Sequence, residues 1–142
     1  MTSQDRKPTT RRENDETEMI GMGLERICQS SGIEPNRVKS VVELGCGFGR
    51  ISGVSLQVFT GAVLHVIDQQ RILKVNDRRL VFHPGAFVEV LSSGEIAPAE
   101  VLIMVEMGAV HGFNKDNIQL VGQGIKAGGR LITAGDNSKI AY

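Results

Sequence analysis

The chain of 142 residues has no tryptophan, one tyrosine and only 4% aromatics. A surface that stacks nucleic-acid bases needs more rings than that, so the composition argues against such a platform. No charge of one sign dominates either. Lys plus Arg and Asp plus Glu are 16 each, for a net charge of zero. That balance removes the electrostatic case for nucleic acid or an acidic membrane face. Cysteine is scarce: Cys28 and Cys46 lack metal-ligand spacing and form no disulfide framework. Reduced thiols in a cytoplasmic setting are expected. No apolar run approaches a membrane span, and the polar N-terminus is no secretory signal. No His, Cys and acid spacing resembles a zinc site, so no metal is expected.

What remains is an ordinary globular composition, 41% hydrophobic and 23% charged. Its length predicts one domain with a core of its own. Residues 1–16, "MTSQDRKPTTRRENDE", are polar throughout beyond Met1 and read as a disordered arm. The domain then occupies 17–142. Met19, Ile20, Met22, Leu24, Ile27 and Cys28 fall mostly at helical spacing, with Gly32 as the stop. Gly21 and Gly23 weaken that helix.

Strands and helices then alternate. "SVVEL" predicts a buried strand, "RISGVSLQVF" a helix and "AVLHVI" a second strand ending at Asp68. "QQRILKV" predicts a short helix and "RLVFH" a third strand. "EVLIMVE" predicts a fourth strand, buried on both sheet faces. "NKDNIQLVGQGI" predicts a helix capped by Asn114, "KAGG" its stop, and "RLITAG" a fifth strand. Such alternation with short links implies an α/β, doubly wound, mainly parallel sheet of about five strands with helices on both faces.

In that architecture a ligand lies at the carboxyl ends of the strands. There the sequence reads "VVELGCGFGR", residues 41–50. Gly45 and Gly47 fit the first two places of the dinucleotide fingerprint, but Arg50 stands in its third. The pattern is instead acid-x-G-x-G-x-G, with Glu43 two residues before the first glycine. A carboxylate there would repel a pyrophosphate and attract an ammonium or a zwitterion. A nicotinamide-dependent oxidoreductase is therefore the weaker reading.

The stretch resembles motif I of the class I S-adenosylmethionine-dependent methyltransferases. "LHVIDQQ" is similar to their second strand, whose terminal acid binds the ribose hydroxyls. "EVLIMVEMGAVHGF" looks like their fourth strand and following turn, and "GIKAGGRLITAGD" like the approach to strand five. The resemblance spans about residues 17–136. It implies strand order 3-2-1-4-5, S-adenosylmethionine as cofactor and methyl transfer to a small molecule or protein side chain. The implied cofactor residues are Glu43, Gly45, Cys46, Gly47, Gly49, Asp68, Gly85 and Ala86. Glu106 and His111, after strand four, are the catalytic candidates. Each has a plainer alternative: Glu106 as a loop carboxylate, His111 as a packed histidine. His65 and His83 read as structural or surface residues.

Two departures stand out. The family often has Gly-Asp-Ala after strand three, where "HPGAF" offers Gly85 and Ala86 with no acid between. One lost hydrogen bond to adenine is worth roughly 0.5–1.5 kcal/mol, and Glu89 or a carbonyl could substitute. The family also continues past strand five with a helix and a strand pair. Here the fifth strand is expected to be an exposed edge, which proteins usually cover. A minimal enzyme, a fragment, and a partner subunit or second copy covering that edge all fit. A non-catalytic, methyltransferase-like partner is the alternative function.

Overall fold

A computed structural model describes residues 11–45, 49–70, 73–105 and 115–134. Helix α1 runs Arg11–Ser30, β1 Ser40–Leu44, α2 Arg50–Val58, β2 Val63–Asp68 and β3 Leu80–Pro84. Then follow α3 Phe87–Ser93, β4 Ala99–Val105, α4 Lys115–Gln123 and β5 Ile125–Ala134. The strands form one five-stranded sheet in the expected order β3-β2-β1-β4-β5. All four pairings are parallel.

Period-two alternation assigns each strand residue to one of two cores. Val41, Leu64, Val66, Val101 and Ile103 face one side, with Leu24 and Cys28 of α1 and Val54 and Leu56 of α2. Val42, Leu44, Ile67, Leu102 and Met104 face the other, with Phe87 and Val90 of α3 and Val121 of α4. Helices thus cover both faces, and the central strands bury both sides, which explains their continuous apolar sequences.

Helix α1 starts at Arg11, inside the segment expected to be an arm. Its end is a Schellman motif: Ile33 N–H bonds Cys28 O at 2.8 Å and Gly32 N–H bonds Gln29 O at 3.3 Å. Gly32 takes φ 70°, the left-handed conformation that glycine adopts without a Cβ penalty.

Two expected elements differ. The short helix over "QQRILKV" is absent among the described residues: Gln69 and Gln70 form a bend, and 73–77 run without helix. Leu73 and Val75 turn inward while Lys74 and Asn76 are exposed. An alternating burial pattern suits extended chain, not a helix. "KAGG" is not the stop of α4 either. Gly124 N–H already closes that helix on Leu120 O and Val121 O. Residues 126–129 instead bulge out of β5, because Ala99 pairs with Ile125 and Val101 with Arg130. At Gly129 a Cβ would lie 2.7 Å from Glu100 O and 2.8 Å from Lys126 O. Only glycine fits so tight a return.

One arginine fastens the crossover. The Arg79 guanidinium donates to Leu56 O at 2.9 Å, Phe59 O at 2.9 Å and Thr60 O at 2.8 Å. These carbonyls belong to the end of α2 and the turn after it, where helix carbonyls lack intrahelical partners.

Candidate functional site

Three strand ends meet at one edge of the sheet. Gly45 N–H, just past β1, donates to Ile67 O of β2 at 2.8 Å. Gly85 N–H, just past β3, donates to Asp68 O at 3.0 Å. These bonds set Glu43, Gly45, Asp68, Gly85 and Ala86 along adjoining carboxyl ends. Gly45 has φ 76° and Gly85 φ 137°, both outside the range that side chains favour.

Gly49 caps α2 at φ 100°. A Cβ there would lie 2.6 Å from Leu73 Cδ1 and 2.8 Å from Val75 Cγ2. The extended crossover therefore packs its inward residues against Gly49 at the start of α2.

Glu43 is the unusual group. It is fully buried. Ser52 Oγ of α2 donates to its Oε2 at 2.7 Å, while Oε1 has no partner. Burial pushes its carboxyl up to about 7; the Ser52 bond pulls the other way, and the charge of Asp68 adds to the rise. Two carboxyl groups that sense each other at a strand end favour an incoming cation over a phosphate. Asp68 is half-buried, and its Oδ1 accepts from Gln70 N–H at 2.9 Å. That bond holds the carboxylate at the rim of β2.

Cys46, Gly47, Glu106 and His111 lie outside the described residues, as does Asn114. Ala86 is the N-cap of α3, and no side chain bonds that cap. Ser52 was not foreseen. Its sequence signal is a hydroxyl one helical turn beyond Gly49, on the face that meets β1.

A second polar cluster lies at the β2–β3 edge. His65 Nδ1 and His83 Nε2 are 2.9 Å apart, and His83 Nδ1 is 2.8 Å from Glu95 Oε2. A carboxylate only accepts, so His83 Nδ1 carries a proton, and one proton is shared between His65 Nδ1 and His83 Nε2. The bond from His83, then that from Ser93, lowers the Glu95 pKa; burial, then the neighbouring His83, lowers that of His65. The chain ties β2 and β3 to the segment after α3, as structural histidines would.

A cavity of about 410 Å³ opens elsewhere, between Ile33, Arg37, Glu100, Lys126 and Arg130. It sits at the amino ends of β4 and β5, opposite the glycine turn. Among the described residues no three His, Cys, Asp or Glu side chains converge as metal ligands. No described helix is long and apolar enough to cross a membrane.

No protein-family model matches the chain, and no curated protein matches its sequence. Solved structures do share its fold. The MycE methyltransferase of the mycinamycin biosynthetic pathway, solved with magnesium and SAH, superposes with a TM-score of 0.64 at 16% identity. The match covers 90% of this chain and 35% of MycE. Coclaurine N-methyltransferase, solved with N-methylheliamine and SAH, gives 0.60 at 12% identity, covering 90% of this chain and 38% of the enzyme. An O-methyltransferase family protein from Burkholderia thailandensis gives 0.51 at 16%, over 85% of this chain and 40% of that one. The fold is thus the Rossmann-like fold of class I methyltransferases, and the chain spans little more than a third of these proteins.

Proposed function

We propose that this chain binds S-adenosylmethionine along the carboxyl ends of β1, β2 and β3 and supports methyl transfer to a small molecule or a protein side chain. The observation that carries this reading is the fully buried Glu43, with its unpartnered oxygen, beside the acid that ends β2. Among the described residues such an arrangement lacks a counter-charge, and the amino acid moiety of the cofactor would bring one. When bound, that cofactor supplies an electrophilic methyl group on a sulfonium.

The chain's own residues would bind and orient it. Glu43 would face the ammonium, and Asp68 would accept from the ribose hydroxyls. Gly45, Cys46, Gly47 and Gly49 would let the backbone approach closely. Gly85 and Ala86 would border the adenine. Leu73 and Val75 would exclude water from the turn. Transfer then depends mainly on alignment of the acceptor. Glu106 and His111 are the groups proposed to take a proton where the acceptor carries one.

A second reading has its own support. Among the described residues β5 ends the sheet, and its Leu131 is 43% exposed. That edge favours a role as a methyltransferase-like subunit whose partner, or second copy, covers it. The scarcity of cysteine favours a cytoplasmic setting with reduced thiols for either reading. Titration calorimetry with S-adenosylhomocysteine tests the cofactor. Heat at micromolar ligand supports it; none at millimolar ligand overturns both cofactor-binding readings. Turnover assays with candidate acceptors then separate enzyme from partner.

A further inference from the structure

We infer that Glu43 is a proton-coupled cation sensor, protonated in the free chain and ionised when a ligand ammonium reaches the glycine turn. This rests on the cofactor reading above and adds a linkage between ligand charge and pH. The geometry carries it. Glu43 is fully buried, with one oxygen held by Ser52 and the other without a partner. An ionised carboxylate in that setting has one hydrogen bond, from Ser52, and no counter-charge among the described residues to stabilise it.

The groups around it point the same way. From β2 comes Asp68, an acid that further disfavours a second negative charge. From α2 comes the Ser52 hydroxyl, which does not titrate in this range. The neighbour on β4 is Ile103, which is apolar. The crossover brings Leu73 and Val75 against Gly49. None of these supplies a positive charge.

An opposite charge within ~4–6 Å lowers a carboxyl pKa by roughly 1–3 units. From the free value of about 7, such a drop empties most of the proton near pH 6.5. The proton balance is simple. The neutral carboxyl of the free chain becomes a carboxylate, and the proton passes to solvent as the cation binds. Affinity for a ligand with an ammonium therefore rises as pH climbs through the bound and free pKa values, by roughly a hundredfold in all for a drop of about two units.

The experiment is calorimetry on the full chain at pH 6.5 in two buffers of different ionisation enthalpy. The probes are S-adenosylhomocysteine, which carries the ammonium, and adenosine, which does not. The expected result is release of roughly 0.5–0.8 proton per S-adenosylhomocysteine and none with adenosine. In Glu43→Gln the release disappears and affinity no longer follows pH. A carboxyl carbon-13 titration of Glu43 in the unaltered chain needs no variant. Its midpoint should fall on adding S-adenosylhomocysteine. Binding with no proton release and an unmoved midpoint overturns the inference and leaves the cofactor reading standing. Absence of binding by either probe overturns both.

Discussion

At the carboxyl ends of the strands Glu43 is fully buried with one oxygen unpartnered, whereas at the amino ends Glu100 is partly exposed and its residue is bonded twice. Glu100 Oε1 accepts from Lys39 N–H at 2.8 Å, and Glu100 N–H donates to Ser40 Oγ at 3.0 Å. These two acids lie on paired strands, β1 and β4. One end is satisfied and stitches the sheet together. The other holds a group that costs stability unless something arrives to pair with it. Functional sites commonly carry such a cost. In the cavity at the amino ends Arg37 pairs with Glu34 at 2.8 Å, and Arg130 donates to Gly128 O at 2.8 Å. Charge satisfaction is what separates the two ends.

The largest effect expected is the pH dependence of Glu43 itself. Its folded carboxyl titrates at about 7 against an ordinary 4.5. Between those values the folded state binds more protons than the unfolded one, so stability falls as pH rises through that window. The loss is on the order of 3 kcal/mol by pH 8. Urea denaturation from pH 4.5 to 8 should show this decline, and Glu43→Gln should flatten it. A decline unchanged in the variant would assign it elsewhere.

Glycine substitutions come next, and they sharpen the contrast. Gly129→Ala drives a Cβ into backbone oxygens and should cost about 2–3 kcal/mol in denaturant midpoint. Ligand heat per folded molecule should be unchanged, because that bulge lies at the far end of the sheet. Gly49→Ala meets flexible side-chain tips at a positive φ, and about 2 kcal/mol is expected. Here ligand heat should be lost as well. Equal ligand heats in the two variants would erase the difference between the ends.

Ser52→Ala should cost about 1 kcal/mol at pH 8. It also removes the bond that holds the Glu43 pKa down, so the titration midpoint should move up. The smallest effect belongs to Glu100→Gln. An amide oxygen still accepts from Lys39 N–H, and a change within roughly 0.5 kcal/mol is expected at this partly exposed position. A fall as steep as that of Glu43 would show the amino end to be strained too.

Much of this was legible in the chain. Residues 40–44 formed the predicted first strand to the residue, because an apolar run closed by glycine has few other uses. The short links foretold a parallel sheet, and the methyltransferase resemblance implied the strand order that the sheet shows. The absence, among the described residues, of the helix expected over 69–75 was harder to foresee. Leu73 and Val75 fell within that expected helix, but their alternating burial against Gly49 suits extended chain. The "KAGG" bulge was missed for a related reason. A glycine pair reads as a helix stop, yet these residues answer to a carbonyl on β4, distant in sequence.

The sequence by itself determined the alternation of elements, the two-sided burial of the strands and the glycine turn after β1. These are local patterns, set by side-chain periodicity and by backbone freedom. Only the tertiary structure decided that Glu43 points at Ser52 rather than at water, and that Asp68 stands close enough to raise its pKa. It also joined Gly45 to β2 and Asp68 to Gly85. Burial and charge coupling arise between strands, and no single segment of sequence carries them.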